Sequence, residues 1–287
     1  MRKKFGCRVF KVSLDAGFGC PRHAQCTYCD EDGSGRGVFK KGISLKEQIE
    51  QGMFVFREHY KAEKFIAYFQ SYTNTLMSRQ RLKELYDFPL QYEDVVGLDI
   101  GTRPDCIDEE KIDLIAEYTR SHYVWVEYGL QSSHDRTLER VKRGHTVEQT
   151  VKAVEMTKNK GINIGLHVIL GLPGETYDDM MTTADFVAQM GIDGIKIHLL
   201  HIVKGSELEN EYYKGTVRVM DMETYIHTVC DFLERLPKDM LIQRLTGESR
   251  DKLVAPLWCL QKATVIQAIN KELIRRGSHQ GKNCFYN

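Results

Sequence analysis

Apolar and polar residues alternate through Val9-Phe-Lys-Val-Ser-Leu14, and this period of two predicts a strand, whose successive side chains face opposite sides. The next apolar run, Lys64-Phe-Ile-Ala-Tyr-Phe69, has few polar breaks and predicts a strand covered on both faces. Four more strands are expected over residues 94–100, 123–130, 162–170 and 194–200. Between them the period changes to that of a helix. Ser44, with Glu47 three residues on, forms a capping box for a helix to about Tyr60. Helices follow over residues 79–86, from the Asp108 cap to about Arg120, over 147–160 with Gly161 as C-cap, and from Thr176 to about Met190. Six strand-then-helix repeats predict an α/β fold: a parallel sheet with right-handed crossovers.

After the sixth strand the pattern changes. Asp221 caps a helix to about Leu236, residues 240–245 read as a seventh strand, and residues 258–276 read as a long amphipathic terminal helix. No linker or low-complexity stretch divides the chain. The simplest organisation is a catalytic core over residues 1–215 and a C-terminal α/β extension over 216–287, packed on the same domain.

Polar residues gather where the strands end: Gln70, Thr73 and Asn74; Arg103 and Asp105; Glu127 and Gln131; His167; Glu175; His198 and His201; Arg244. In parallel α/β folds that edge carries the active site. The loop leaving the first strand there reads Cys20-Pro-Arg-His-Ala-Gln-Cys26-Thr-Tyr-Cys29, a C-x5-C-x2-C spacing at residues 20–29. Cys26-Thr-Tyr-Cys29 alone fits a thioredoxin-like redox pair or half a zinc site. A thioredoxin-type pair has no use for Cys20. A tetrahedral zinc site needs a fourth ligand, for which His23 or Cys7 would have to serve. Three thiolates suffice for three irons of a [4Fe–4S] cluster and leave one iron open to a small chelating molecule. Asp32-Gly-Ser-Gly-Arg-Gly37, just downstream, lacks the lysine and spacing of a phosphate-binding loop and is expected to shape the loop's exit.

Composition narrows the setting. The chain has 287 residues, 42% hydrophobic and 28% charged, the balance of a globular protein. No apolar run approaches the ~18 residues of a membrane span, and the basic start lacks an apolar signal region. Eight cysteines in such a chain read as reduced thiols and metal ligands, which makes the cytoplasm the expected compartment. Cys7, Cys230, Cys259 and Cys284 are too scattered for an auxiliary cluster and default to free thiols. The net charge is zero, so no global signal for nucleic acid exists. Three local basic patches could be RNA contacts or solvated faces: Arg140-Val-Lys-Arg143-Gly-His145, Arg2 to Lys4 with Arg8, and residues 271–282 with Arg275 and Arg276.

A three-cysteine loop after the first of six strand–helix units resembles the radical S-adenosylmethionine (SAM) enzymes. The first cysteine gap is five where three is commonest in that family. Longer stretches carry the likeness further: Asp15-Ala-Gly-Phe-Gly-Cys20-Pro21, Phe69-Gln-Ser-Tyr-Thr-Asn-Thr75, Gly101-Thr-Arg-Pro-Asp105, Glu127-Tyr-Gly-Leu-Gln-Ser132, Arg143-Gly-His145, His167-Val-Ile-Leu-Gly-Leu-Pro-Gly-Glu175, and His198-Leu-Leu-His201 with Lys204-Gly. Together they resemble the YhcC/YtqA-type branch, which is similar to the Elongator catalytic-subunit-like group.

The resemblance implies a partial (βα)6 barrel and two cofactors, a [4Fe–4S] cluster on Cys20, Cys26 and Cys29, and SAM on the open iron. It implies reductive cleavage of SAM and hydrogen abstraction from a substrate, the protein's part being to bind, orient and exclude water. By that likeness Gln70, Thr73 or Asn74 stands in for the family's methionyl-amine glutamate, which is missing here. Arg103 meets the SAM carboxylate. Glu127 and Gln131 reach the methionyl group or ribose. The strand from Val168 through Leu170 to Gly171 lies along the adenine, with Leu172-Pro173 turning the chain, and Tyr28 packs on the adenine or within its own loop. His198, His201 and Arg244 line the substrate cavity or act as hydrogen-bonded structural groups. Cys106 is a candidate radical quencher or hydrogen donor.

The implied substrate is the wobble uridine of tRNA, whose carboxymethylaminomethyl side chain would become aminomethyl. The implied partners are tRNA, an electron donor such as flavodoxin or ferredoxin, and a methyltransferase acting downstream. A radical SAM enzyme acting on a small molecule or peptide is the alternative. A non-catalytic Fe–S or zinc protein that binds RNA is a further one, which the polar strand ends disfavour.

Overall fold

The structure is a computed structural model describing residues 2–30, 38–247 and 252–286, so the glycine-rich stretch 32–37 lies outside the described residues. Helices and strands run in the order α1 (Arg2–Phe5), β1 (Val9–Leu14), α2 (Leu45–Tyr60), β2 (Lys64–Phe69), α3 (Arg79–Leu90), β3 (Val95–Thr102), α4 (Glu109–Glu117), β4 (Tyr123–Gln131), α5 (Asp135–Arg140), α6 (Val147–Thr157), β5 (Asn163–Leu170), α7 (Tyr177–Gln189), β6 (Gly194–Leu199), β7 (Ile202–Val203), α8 (Glu207–Tyr213), α9 (Met222–Arg235), β8 (Leu241–Arg244), β9 (Leu253–Ala255) and α10 (Lys262–Arg275). The main sheet has the order β1-β2-β3-β4-β5-β6-β8. Pairings β1–β2, β2–β3, β3–β4, β5–β6 and β6–β8 are all parallel. A strictly sequential order has no switch point, so this is the topology of a (βα) barrel core and not of a doubly wound sheet. The expected α/β class and the parallel seventh strand are both present.

The chain divides into two compact units. The first is Met1–Arg22, Asp32–Tyr128 and Lys152–Ile164; the second is His23–Glu31, Gly129–Val151 and Gly165–Asn287. In the first unit, Phe65, Ile66, Ala67 and Phe69 of β2 are all fully buried, as an apolar run without alternation requires. Helix α2 lies so close on β1 that a Cβ at Gly52 would stand 2.4 Å from Val12 Cγ1. Its capping box is formed as expected: the Glu47 N–H donates to Ser44 Oγ, and the Ser44 N–H to Glu47 Oε2 at 2.8 Å. In the second unit Val141, Leu172, Leu200, Ile202, Leu208, Val217 and Ala255 form a separate apolar cluster.

Several boundaries move. Helix α3 runs on to Leu90 with Pro89 inside it, because Leu85, Tyr86 and Pro89 are buried together and packing outweighs the proline. The terminal helix begins at Lys262, four residues later than expected. Residues Leu257–Leu260 form a 3-10 turn, held where Trp258 Nε1 donates to the Met220 carbonyl at 3.0 Å and Cys259 is buried. The short helices α5 and α8 and the antiparallel pair β7–β9 had no counterpart in the expectation.

Candidate active site

In the first unit the loop after β1 is fixed from within. The Asp15 carboxylate accepts the N–H of Gly17 at 3.1 Å and of Phe39 at 3.3 Å, while Gln48 accepts the Asp15 N–H at 2.7 Å and donates to the Asp15 carbonyl at 3.0 Å. Gly17 has φ +75°, and a Cβ there would meet the Phe39 ring at 2.5 Å, so only glycine fits. This frame delivers Cys20 to an exposed position. Thr73 Oγ1 lies 3.5 Å from Cys20 Sγ, and the Thr73 N–H donates to the Gly19 carbonyl at 3.2 Å. Thr73 therefore stands at the cluster loop itself.

Asn74 is used differently. Its amide donates to the carbonyls of Phe69 at 3.0 Å and Gly101 at 2.7 Å, tying the ends of β2 and β3 together. Gln70 is half-buried and accepts from Ser13 Oγ at 3.2 Å. Arg103 is 2% exposed and paired with Asp105, Nε to carboxylate at 2.9 Å. Cys106 is buried beside it, its carbonyl accepting from Thr75 Oγ1 at 2.7 Å, and burial followed by the Asp105 charge pushes its thiol pKa up.

Glu127 sits in a buried charged group. Its carboxylate accepts from Lys11 Nζ at 3.0 Å and from the Tyr68 hydroxyl at 2.8 Å, and Lys11 also pairs with Asp99. Asp99 and Glu127 side chains are 0% exposed. Burial lowers the Lys11 pKa, but the two carboxylates outweigh it and the net shift is upward. Glu127 is thus bonded to side chains of β1 and β2, and its lysine partner is shared with Asp99 of β3.

In the second unit Cys26 and Cys29 are close neighbours, the Cys29 N–H donating to the Cys26 carbonyl at 3.0 Å. The loop is laid over a core strand of contacts: Thr27 donates its N–H to the Val141 carbonyl, and Leu208 donates its N–H to the Thr27 carbonyl, both at 3.0 Å. The Cys26 thiol is pulled down to about 4 by a hydrogen bond from Cys29, then, against burial, by the Arg143 charge. Arg143 Nη1 is 3.6 Å from Cys26 Sγ, Nη2 donates to the Gly129 carbonyl at 3.0 Å, and Nε donates to His145 Nε2 at 3.0 Å. A Cβ at Gly129 would stand 2.6 Å from Arg143 Nη2, so glycine there admits the guanidinium. The Tyr28 ring packs on the apolar cluster around Val141 and Leu208, and burial of its hydroxyl beside Cys26 keeps it protonated.

The strands β5, β6 and β8 bring a second set together. His167 and His198 rings are 5.4 Å apart, and Lys196 is the register partner of both His167 and Arg244. The His201 ring covers Gly247, where a Cβ would fall 2.2 Å from Cε1. His198 is held neutral: burial, then the charges of Arg244, His167, Lys196 and His201, push its pKa well below the ordinary histidine value. Val168 and Leu170 alternate with His167 and Ile169 and are buried on the opposite face, so what they offer a ligand is main chain. Gln131 is half-buried with φ +72°, and the next residue's hydroxyl, Ser132 Oγ, is bonded to Glu175.

Several cations of two of the predicted basic patches are buried or ion-paired. Arg143 and His145 are buried, while Arg140 and Lys142 are paired with Glu211 and Glu207. Arg275 and Arg276 are clamped to Glu272, and Arg276 also to Asp231. Alternation explains the first split: the chain tucks one cation inward and leaves its neighbours in water. Arg143, Lys11, Asp99 and Lys196 were not assigned to the site from the sequence. The available signal for the last three was a charged residue inside an otherwise apolar strand pattern.

Among the described residues no three His, Cys, Asp or Glu side chains already stand at metal-holding distances. The fit to an iron–sulfur cluster is therefore one of donor chemistry: an exposed thiol with a hydroxyl beside it, and a thiol held as thiolate beside a cation.

Residues 16–187 match the Radical SAM superfamily, and residues 192–275 match the Radical_SAM C-terminal domain. YtqA of Bacillus subtilis is 41% identical, over 98% of this chain and 90% of its own. The tRNA uridine(34) acetyltransferase of Methanocaldococcus infernus is 29% identical over 157 residues, which are 52% of this chain and 28% of that one. Among solved structures, Methanocaldococcus infernus Elp3 with an N-terminal deletion superposes with a TM-score of 0.72 at 18% identity, a likeness of fold. It covers 95% of this chain and 64% of that one. With its three-cysteine loop, sequential parallel sheet and full-length kinship to YtqA, the chain belongs to the radical SAM superfamily, in its YhcC/YtqA-type branch, and its cofactors are a [4Fe–4S] cluster and SAM.

Proposed function

We propose that this radical SAM enzyme acts on the wobble uridine of tRNA, converting a carboxymethylaminomethyl side chain at C5 to aminomethyl. The observation that carries this reading is the sequence kinship, over half of the chain, to a protein named for action on tRNA uridine 34. The bound cofactors would supply one-electron cleavage of SAM and the hydrogen-abstracting power. The residues proposed to hold the cluster are Cys20, Cys26 and Cys29, with Thr73 and Arg143 against two of the sulfurs. Those proposed for SAM are Gln70, Arg103, Glu127, Gln131 and the main chain at Val168 to Leu170. Lys11 and Tyr68 orient the Glu127 carboxylate through two hydrogen bonds. His198, held neutral by burial and by the neighbouring charges, can accept a hydrogen bond at one ring nitrogen, which an imidazolium could not. An electron donor of the flavodoxin or ferredoxin kind and a downstream methyltransferase complete the proposal.

The pairing of Arg140, Lys142 and Arg275 with glutamates favours a second reading, a small-molecule or peptide substrate. An anaerobic assay separates the two. The reconstituted, dithionite-reduced protein is given SAM with and without tRNA from cells lacking the modification, and 5′-deoxyadenosine and wobble nucleosides are measured. Cleavage that rises with tRNA together with a changed wobble nucleoside supports the first reading. Cleavage indifferent to tRNA sinks it in favour of the second.

A further inference from the structure

The second half of the cluster loop lies on a turn built around one buried cation. Helix α5 ends in that turn: the Lys142 N–H donates to the Glu139 carbonyl at 2.9 Å and the Arg143 N–H to the Leu138 carbonyl at 2.8 Å. Lys142 and Gly144, on either side of Arg143, have φ of 51° and 78°. A Cβ at Gly144 would stand 2.9 Å from the His23 carbonyl oxygen, so the loop rests directly on the turn. The bond from the Thr27 N–H to the Val141 carbonyl fastens it there. The Arg143 side chain runs inward and is 7% exposed.

The guanidinium is aimed. Nε donates to His145 Nε2 at 3.0 Å and Nη2 to the Gly129 carbonyl at 3.0 Å, which fixes the plane of the group. The other terminal nitrogen, Nη1, then donates to Cys26 Sγ at 3.6 Å. Arg143 and His145 make further contacts within the protein, and the Nη1–Sγ bond stands beside them. A guanidinium keeps its charge throughout the working pH range. Reduction of an iron–sulfur cluster adds negative charge to the irons, sulfides and thiolates together. Hydrogen bonds to the sulfurs and nearby positive charge therefore favour the reduced form, most strongly where water is excluded.

We propose that Arg143 raises the reduction potential of the cluster through its contact with Cys26, and that His145 and Gly129 hold the guanidinium in place for this. Arg143 acts through the thiolate and is a positioning residue in this role. The proposal rests on Cys26 as a cluster ligand and is independent of the tRNA reading. Its consequence falls on the electron donor. One electron leaves a donor of the flavodoxin or ferredoxin kind and one enters the cluster, and a higher cluster potential makes that transfer more favourable.

The test is a redox titration of the reconstituted protein without SAM, followed by electron paramagnetic resonance. Arg143→Met should lower the midpoint potential by about 59 mV or more, a loss of at least about tenfold in the one-electron reduction equilibrium. Arg143→Lys keeps the charge without the fork and should recover part of the shift. Gly129→Ala places a Cβ 2.6 Å from Nη2, displaces the guanidinium without removing it, and should give an intermediate fall. Circular dichroism confirms the fold of each variant, iron and sulfide content confirms loading, and equilibrium dialysis measures SAM affinity in parallel. An unmoved midpoint in loaded Arg143→Met overturns the proposal, and a fall in SAM affinity beside it assigns Arg143 to SAM. Equal falls in Arg143→Met and Arg143→Lys reduce the effect to packing and overturn it as well. If Arg143→Met folds without taking up iron, unmoved midpoints in Arg143→Lys and Gly129→Ala overturn it. The ligand reading fails separately: a Cys26→Ala protein with the wild-type iron content and spectrum removes Cys26 from the cluster, and the proposal with it.

Discussion

Replacing Lys11 by methionine isolates the buried charged group behind Glu127. The change keeps most of the unbranched side chain, one atom shorter, and removes its charge. It leaves Asp99 and Glu127, both with side chains 0% exposed, without the ammonium that pairs with each. Removing one partner of a buried ion pair costs about 3–5 kcal/mol. The Tyr68 hydroxyl still donates to Glu127, and the Lys11 side chain is 26% exposed. Both facts place the expectation at the low end, ~3 kcal/mol, or a drop in Tm of roughly 5 °C for a chain of this size. Urea denaturation followed by circular dichroism at pH 7 measures it. The pH dependence supplies a sharper check. In wild type the folded-state Lys11 pKa is raised, so its contribution is complete below the ordinary lysine value near 10.4 and is lost as the pH rises through the folded value. In the variant the unpaired carboxylates have raised folded-state pKa values, so their penalty is relieved as the pH falls. The deficit relative to wild type should shrink from pH 7 to pH 5, and again in strongly alkaline solution. Adding Glu127→Gln to the variant should restore part of the stability, because one buried charge is gone. A deficit under ~1 kcal/mol at pH 7, or one that stays constant between pH 7 and 5, would refute the account of Glu127 as an electrostatically fixed group.

Three further outcomes follow from the geometry. Arg143→Met removes the cation beside Cys26, so in the cluster-free protein the pH midpoint of Cys26 alkylation should rise from about 4 by about 1–2 units, and an unmoved midpoint would count against the contact. Gly52→Ala gains ~1 kcal/mol of helix propensity but drives a methyl to 2.4 Å from Val12, costing ~1–3 kcal/mol, so urea unfolding should show a net loss that Val12→Ala added to it repairs. Gly247→Ala pushes the His201 ring aside and should lower substrate turnover about tenfold while leaving substrate-independent SAM cleavage unchanged, with equal loss of both sinking a substrate-side role for His201.

The strands and capped helices were legible because they are local. Period-two alternation in 9–14, an unbroken apolar run at 64–69, the Ser44–Glu47 box and the Asp108 and Asp221 caps each depend on a few neighbouring residues, and each appears where the sequence placed it. The family was legible too, since its cysteine spacing and Gly101 to Asp105, Glu127 to Ser132 and His167 to Glu175 segments are contiguous in the chain. Boundaries set by distant partners were not. Pro89 stays helical because its neighbours are buried, and the terminal helix waits until Lys262 because Trp258 is held by Met220.

The same division runs through the site. The sequence by itself determined which residues stand at strand ends and that three thiols share one loop. Only the tertiary structure decided what each does with its charge, because burial and partnership depend on residues dozens to more than a hundred positions away. Arg143, read along the chain as part of a basic patch, lies buried against Cys26, 117 positions earlier. Lys11 meets Glu127 across 116 positions. Lys196 becomes the centre of a cationic group only when β5 and β8 are laid on either side of β6. Electrostatic free energy depends on distance and dielectric in space, and sequence separation carries neither.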